Sequence, residues 1–110
     1  MSNREYNLYL KDIYDSIEKI EDYVKDLSFE GFDQDAKTID AVVRNFEIIG
    51  EAARHIPKNI ISQYPQIPWS KMVSTRNKVL HEYFGIDTEI LWKTIKEDLP
   101  ILKERIKGML

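Results

Sequence analysis

The chain contains no cysteine, which excludes a disulfide framework and any zinc site built on thiolates. It has only two histidines, His55 and His81, and two isolated imidazoles do not make a metal centre. No metal or cofactor is expected. Glycine and proline number four each, and no glycine-rich loop suited to cradling phosphates occurs. Strand-type alternation, internal repeats and low-complexity tracts are missing too. Met1-Ser2-Asn3-Arg4-Glu5 lacks the apolar core of a signal peptide, and no apolar run reaches membrane length. A cytoplasmic protein is expected. Positive charge is outnumbered by negative. The formal net charge is −3, which argues against sequence-blind coating of nucleic acid, because that mode leans on a basic surface. A local site is not excluded: Lys71, Arg76 and Lys78 lie between Trp69 and His81 with no acidic residue among them.

What is present is enough for one domain over residues 1–110. The composition, 43% hydrophobic and 32% charged, suits a globular chain, and a chain of this length buries a core without staples. The clearest element is a helix from Arg4 to Leu27. Tyr6, Leu10, Ile13, Ile17, Ile20, Val24 and Leu27 recur at gaps of 4, 3, 4, 3, 4 and 3, one stripe that faces partner helices. Lys11, Asp15, Glu18, Asp22 and Lys25 form its solvated face. Ser28 to Asp33 interrupts the pattern and reads as a loop whose phenylalanines tuck against the rest. Asp33 or Asp35 caps a second helix that runs to His55, with Ile39, Val42, Val43, Phe46, Ile49 and Ala53 inward. Gly50 lies inside it, beside Ala52 and Ala53, where a glycine permits close approach of another helix. Glu51 is expected to pair with Arg44, Arg54 or a cation of a partner chain.

Pro57 either ends this helix or opens a short one through Tyr64. Pro65 to Pro68 is a rigid loop. Pro68 or Trp69 begins a third long helix, whose apolar residues are Trp69, Met72, Val73, Val79 and Leu80 and whose polar face is expected to be separate from them. After Gly85, Asp87 caps a final helix with Leu91, Ile95, Leu99, Leu102 and Ile106 inward. Pro100 should kink or interrupt it, because proline lacks an N–H and clashes one turn back. The fold class is therefore all-α: an up-and-down bundle of four main helices plus one or two short ones.

The third long helix carries the chemistry. Arg76 offers a permanently charged planar fork that suits phosphate oxygens. His81 gives or takes a proton near neutral pH. Asn77 and His81 are four apart and share a helix face, so the amide either orients the ring or binds a phosphate oxygen. Arg76 and His81 are five apart, roughly 140° around a straight helix. Either the Arg76 side chain curls round, the helix ends near His81, or a second copy of the chain completes the site.

Arg76-Asn77-x-x-x-His81-x-Tyr83 resembles the R-x4-H-x-Y signature of HEPN domains, in particular the HepT-like toxins encoded beside minimal nucleotidyltransferases. The resemblance extends to Ile48-Ile49-Gly50-Glu51-Ala52-Ala53 upstream, to Ile67-Pro68-Trp69 before the motif, and to Tyr83-Phe84-Gly85-Ile86-Asp87 after it. It implies a HEPN-like helical bundle, a homodimer with both motifs beside a shared cleft, and a metal-independent endoribonuclease in which Arg76, Asn77 and His81 are catalytic. It also implies a cognate nucleotidyltransferase antitoxin that transfers AMP to Tyr83. Bundles of this superfamily also occur as helpers without catalysis, so a module that only binds such a nucleotidyltransferase, or RNA, stands as the alternative.

Overall fold

A computed structural model describes the backbone of residues 3–81 and 87–110, and the side chains of residues 5–75 and 87–110. Helix α1 spans Asn3–Val24, α2 Phe29–Asp33, α3 Ala36–Arg54, α4 Lys58–Gln63, α5 Trp69–His81, α6 Thr88–Lys93 and α7 Leu99–Lys107. A π-helical turn, Thr94–Asp98, joins α6 to α7 without a break. Four long helical runs and two short helices thus make an all-α bundle, as the periodicity requires, and no strand occurs among the described residues. Helix α3 is the centre. It packs against α1 on one side and α5 on the other, and α7 closes onto α1.

The predicted stripes are the core. Leu10, Ile13, Ile17, Ile20 and Val24 of α1 are buried, as are Val42, Val43, Phe46 and Ile49 of α3 and Leu91, Ile95, Leu99, Leu102 and Ile106 of the last helical run. The solvated face of α1 is exposed throughout. Its tyrosines divide: Tyr6, Tyr9 and Tyr14 pack part-buried against the core, and Tyr23 is exposed. Gly50, Ala52 and Ala53 are buried inside the single chain, where α3 meets its neighbours. The small residues thus serve helix packing within the subunit and give no separate argument for a second copy.

One segment departs from the sequence reading. Ser28 to Asp33 is not a loop: Ser28 caps α2, its Oγ accepting from the Gly31 N–H at 3.1 Å. Ser at the N-cap with Glu30 in the first turn is a helix-start signal, and five residues are too few for a periodic stripe to register. Phe32 is fully buried, as expected for that segment, and lies against Trp92. At Pro100 the expected interruption takes the form of a π turn just before the proline, and the helical run goes on past it. The Leu99 N–H bonds to Thr94 O, five residues back, so the turn before the proline widens. That widening also keeps the core stripe in line. Leu91, Ile95 and Leu99 are spaced 4 and 4, which drifts by about 80° in a regular α-helix, and the wider turn takes up the drift.

Helix starts follow the predicted caps. Asp87 Oδ1 accepts from Glu89 N–H at 2.9 Å and Ile90 N–H at 3.3 Å. Asp35, rather than Asp33, caps α3, accepting from the Thr38 N–H at 3.1 Å and the Thr38 hydroxyl at 2.7 Å. The hydroxyl bond first, and the backbone bond second, hold the Asp35 carboxyl below its ordinary value of 3.8. A depressed carboxylate pKa adds stability above the unfolded-state value, and that stability disappears as pH falls through the folded-state value. Asp35→Ala is therefore expected to melt at lower temperature than the wild type at pH 7, and the gap is expected to close below pH 3.8. Thermal melts followed by circular dichroism across that range check this; a gap independent of pH would contradict it.

Lys103 ties α7 back to α1. Its Nζ lies 2.9 Å from Glu21 and 3.7 Å from Glu18. The Glu21 hydrogen bond chiefly raises its pKa.

Candidate active site

Helix α5 is fixed to the bundle through its first half. The Trp69 indole N–H donates to Tyr64 O at 3.1 Å, across the proline loop. Trp69 and Met72 are both buried, and Val73 packs part-buried beside them. The Thr75 hydroxyl donates to Lys71 O at 2.8 Å, a local bond back to the preceding turn. Lys71 Nζ reaches 3.1 Å from Asp98 on the π turn. The helix bearing the motif is thus held from below by aromatic and thioether packing and from the side by an ion pair.

Arg76, Asn77 and His81 all lie on α5, in its last two turns. Their side chains lie outside the described residues, as does Tyr83 altogether. The backbone still constrains the site. Because α5 is helical from Trp69 through His81, Arg76 and His81 occupy register positions roughly 140° apart, and Asn77 and His81 share a face. Arg76 stands seven residues after Trp69 and four after Met72 in the helical register.

Beside α5, three elements enclose a groove of about 240 Å³. Phe46 and Ile49 come from α3, Met72 and Thr75 from α5, and Asp98, Leu99 and Leu102 from the π turn and α7. The guanidinium of Arg105 lies at its edge and donates to Gln66 O at 2.6 Å. No single segment announced this groove. Pro100 was the nearest signal, since a helix that must accommodate it widens just where the groove opens.

His55 has more company than the sequence suggested. It stacks on Tyr9 of α1, ring centroids 5.0 Å apart. Its Nε2 lies 3.2 Å from Glu51 Oε1, which also accepts from Arg54 at 3.0 Å. The expected pairing of Glu51 with Arg54 is therefore present. This cluster sits on the exposed seam between α1 and α3, and its contacts are those of an ordinary surface network.

Comparison with known proteins identifies the family. The family described as "Ribonuclease HepT-like" matches residues 13–109. A "Probable ribonuclease HepT" of Thermococcus cleftensis is 46% identical over 106 residues, covering 96% of both chains. A "Putative RNase" of Methanocaldococcus jannaschii is 39% identical over 107 residues, covering 97% of this chain and 98% of its own. Another "Putative RNase", of Caldanaerobacter subterraneus subsp. tengcongensis, is 38% identical over 102 residues, covering 93% and 91%. No solved structure matches the chain. Among the described residues no helix is long and apolar enough to cross a membrane. With a family match over nearly its whole length and relatives that it covers end to end, the chain belongs to the HepT-like ribonuclease family of HEPN proteins.

Proposed function

We propose that the protein is a metal-independent endoribonuclease of the cytoplasm, a single HEPN domain that acts as the toxin of a toxin–antitoxin pair. The observation that carries this reading is the complete set Arg76, Asn77, His81 and Tyr83 within a chain that matches the ribonuclease family over residues 13–109. In the reaction, a ribose 2′-oxygen attacks the adjacent phosphorus and the bond to the 5′-oxygen breaks. His81 moves the proton, Arg76 stabilises the charge that builds on the phosphorane oxygens, and Asn77 positions either the imidazole or a phosphate oxygen. The products carry a 2′,3′-cyclic phosphate and a 5′-hydroxyl. Neither step calls for a metal ion, and a chain with no cysteine and two distant histidines supplies no cluster of nitrogen and sulfur ligands for one. Purified protein is therefore expected to cut RNA at full rate in EDTA. Activity lost to the chelator and restored by a divalent ion would sink the scheme.

The active form is a homodimer whose two motifs meet across a shared cleft. The supporting observation is the register of α5: Arg76 and His81 are five residues apart on one helix, so a second subunit supplies the missing half more simply than a bent side chain does. Mixing Arg76→Ala subunits with His81→Ala subunits tests this. A shared site predicts that the mixture regains part of the activity that each variant lacks alone; no recovery, with heterodimers shown by mass spectrometry, would mean each subunit is self-sufficient. The partner is a nucleotidyltransferase antitoxin, and its acceptor on this chain is Tyr83.

A further inference from the structure

We propose that the groove between α3, α5 and the π turn holds a guanine of the RNA beside the phosphate that Arg76 handles. This inference rests on the ribonuclease reading and adds a base-recognition site to it. The groove has the right size and surface for one planar base. Its volume is about 240 Å³, and Phe46, Met72 and Leu102 form an apolar floor. An aromatic ring and a polarizable thioether are suited to the π-face of a base.

The mouth of the groove selects among bases. Lys71 Nζ and Asp98 Oδ2 stand 3.1 Å apart across it, an ammonium beside a carboxylate. The edge of guanine presents a carbonyl acceptor, O6, next to two N–H donors, N1 and N2. Ammonium to O6 and carboxylate to the two N–H groups satisfies all three, and the ion pair is already assembled in that order. Lys71 engages one carboxylate oxygen, and a carboxylate accepts at about four positions, so capacity remains for a base. Adenine and cytosine place an acceptor nitrogen beside their one amine, against the carboxylate. Uracil has one N–H between two carbonyls. Each of the three leaves the pair partly unsatisfied or opposed, and unmatched polar groups are what make such sites discriminate.

Position links the groove to the motif. Met72 lines the groove, and Arg76 lies one turn further along α5 in the same register, a rise of about 6 Å. That is near the step between neighbouring nucleotides of a single strand.

The test has two arms. In the first, purified wild type, Asp98→Asn and Lys71→Met digest an RNA pool of random sequence, and the cut ends are sequenced. Guanine should be enriched at one fixed position beside the cut. Asp98→Asn should lower kcat/KM for guanine-containing substrate about tenfold, as loss of a hydrogen bond to a charged group does, and flatten the preference. In the second arm, 2′-O-methyl tetranucleotides, which cannot be cleaved, are titrated against the protein. A tetramer with guanine should bind about tenfold more tightly than one with adenine. Inosine, which lacks the N2 amine, should fall between, and Asp98→Asn should erase the differences. If the wild type cuts RNA with no base preference, or if Asp98→Asn and Lys71→Met leave the preference unchanged, the groove does not read the base, although the ribonuclease reading stands. If guanine binding depends on Asp98 and no RNA is cut, the ribonuclease reading falls and the groove survives as a binding site. Equal binding of all tetramers overturns the proposal outright.

Discussion

Purified His81→Ala protein is expected to cut RNA more slowly than the wild type by about two to four orders of magnitude, the range over which a positioned general acid or base acts. Arg76→Ala is expected to fall by about two to three orders, because a charge aimed at the developing phosphorane oxygens is lost. Neither residue belongs to the stripes of α1, α3 and α7 that build the core, and α5 is anchored by Trp69, Met72 and the Lys71–Asp98 pair, all of which both variants keep. Helix content and subunit association should therefore survive, and circular dichroism and sedimentation check that they do. The same pair of substitutions should remove growth inhibition when the protein is expressed alone. A folded His81→Ala protein that cleaves as fast as the wild type would mean that the imidazole does not carry the proton, and the alternative of a non-catalytic binding module would then lead.

The second large effect concerns Tyr83. Co-expression with the cognate nucleotidyltransferase is expected to yield a heavier protein, with AMP on Tyr83 and cleavage abolished. The step balances simply: the phenol oxygen attacks the α-phosphorus of ATP, the phenol proton leaves, and pyrophosphate departs. Each AMP adds bulk and about one negative charge, two residues from His81 and seven from Arg76. That charge occupies the groups meant for RNA phosphate and repels an incoming strand, as charge-changing modifications do beside a cationic site. Tyr83→Phe should escape the modification and remain toxic with the partner present. Intact-mass spectrometry that finds no AMP on the neutralised wild type would leave steric masking by a tight complex as the explanation.

Much of the fold could be read directly from the sequence because helices in a bundle write their burial as period. The stripe from Leu10 to Val24, and that from Leu91 to Ile106, are buried residue for residue. Caps at Asp35 and Asp87 follow from side-chain chemistry that acts over two or three residues. Misses arose where structure depends on something shorter or longer than a helical period. Helix α2 is five residues long and has no room for a stripe. Pro100 marked the right place, but whether a helix breaks or widens there depends on the packing of Leu91, Ile95 and Leu99, which a local rule cannot see. The stacking of Tyr9 on His55 joins residues of two different helices, and the groove beside α5 is assembled from three elements. Neither has a local signature. Of the candidate site, the residue types and the helix that bears them were legible.

The most direct measurement of the central claim is the chemistry of the cut ends. Wild-type protein is incubated with a defined RNA in EDTA, and the fragments are analysed by mass spectrometry, beside a copy of the RNA carrying a single 2′-deoxyribose at the cut. The account predicts 2′,3′-cyclic phosphate and 5′-hydroxyl ends from the normal RNA and no cleavage at the deoxy position. Fragments ending in 3′-hydroxyl and 5′-phosphate, or undiminished cleavage at the deoxy position, would contradict attack by the 2′-oxygen and with it the roles given to Arg76 and His81.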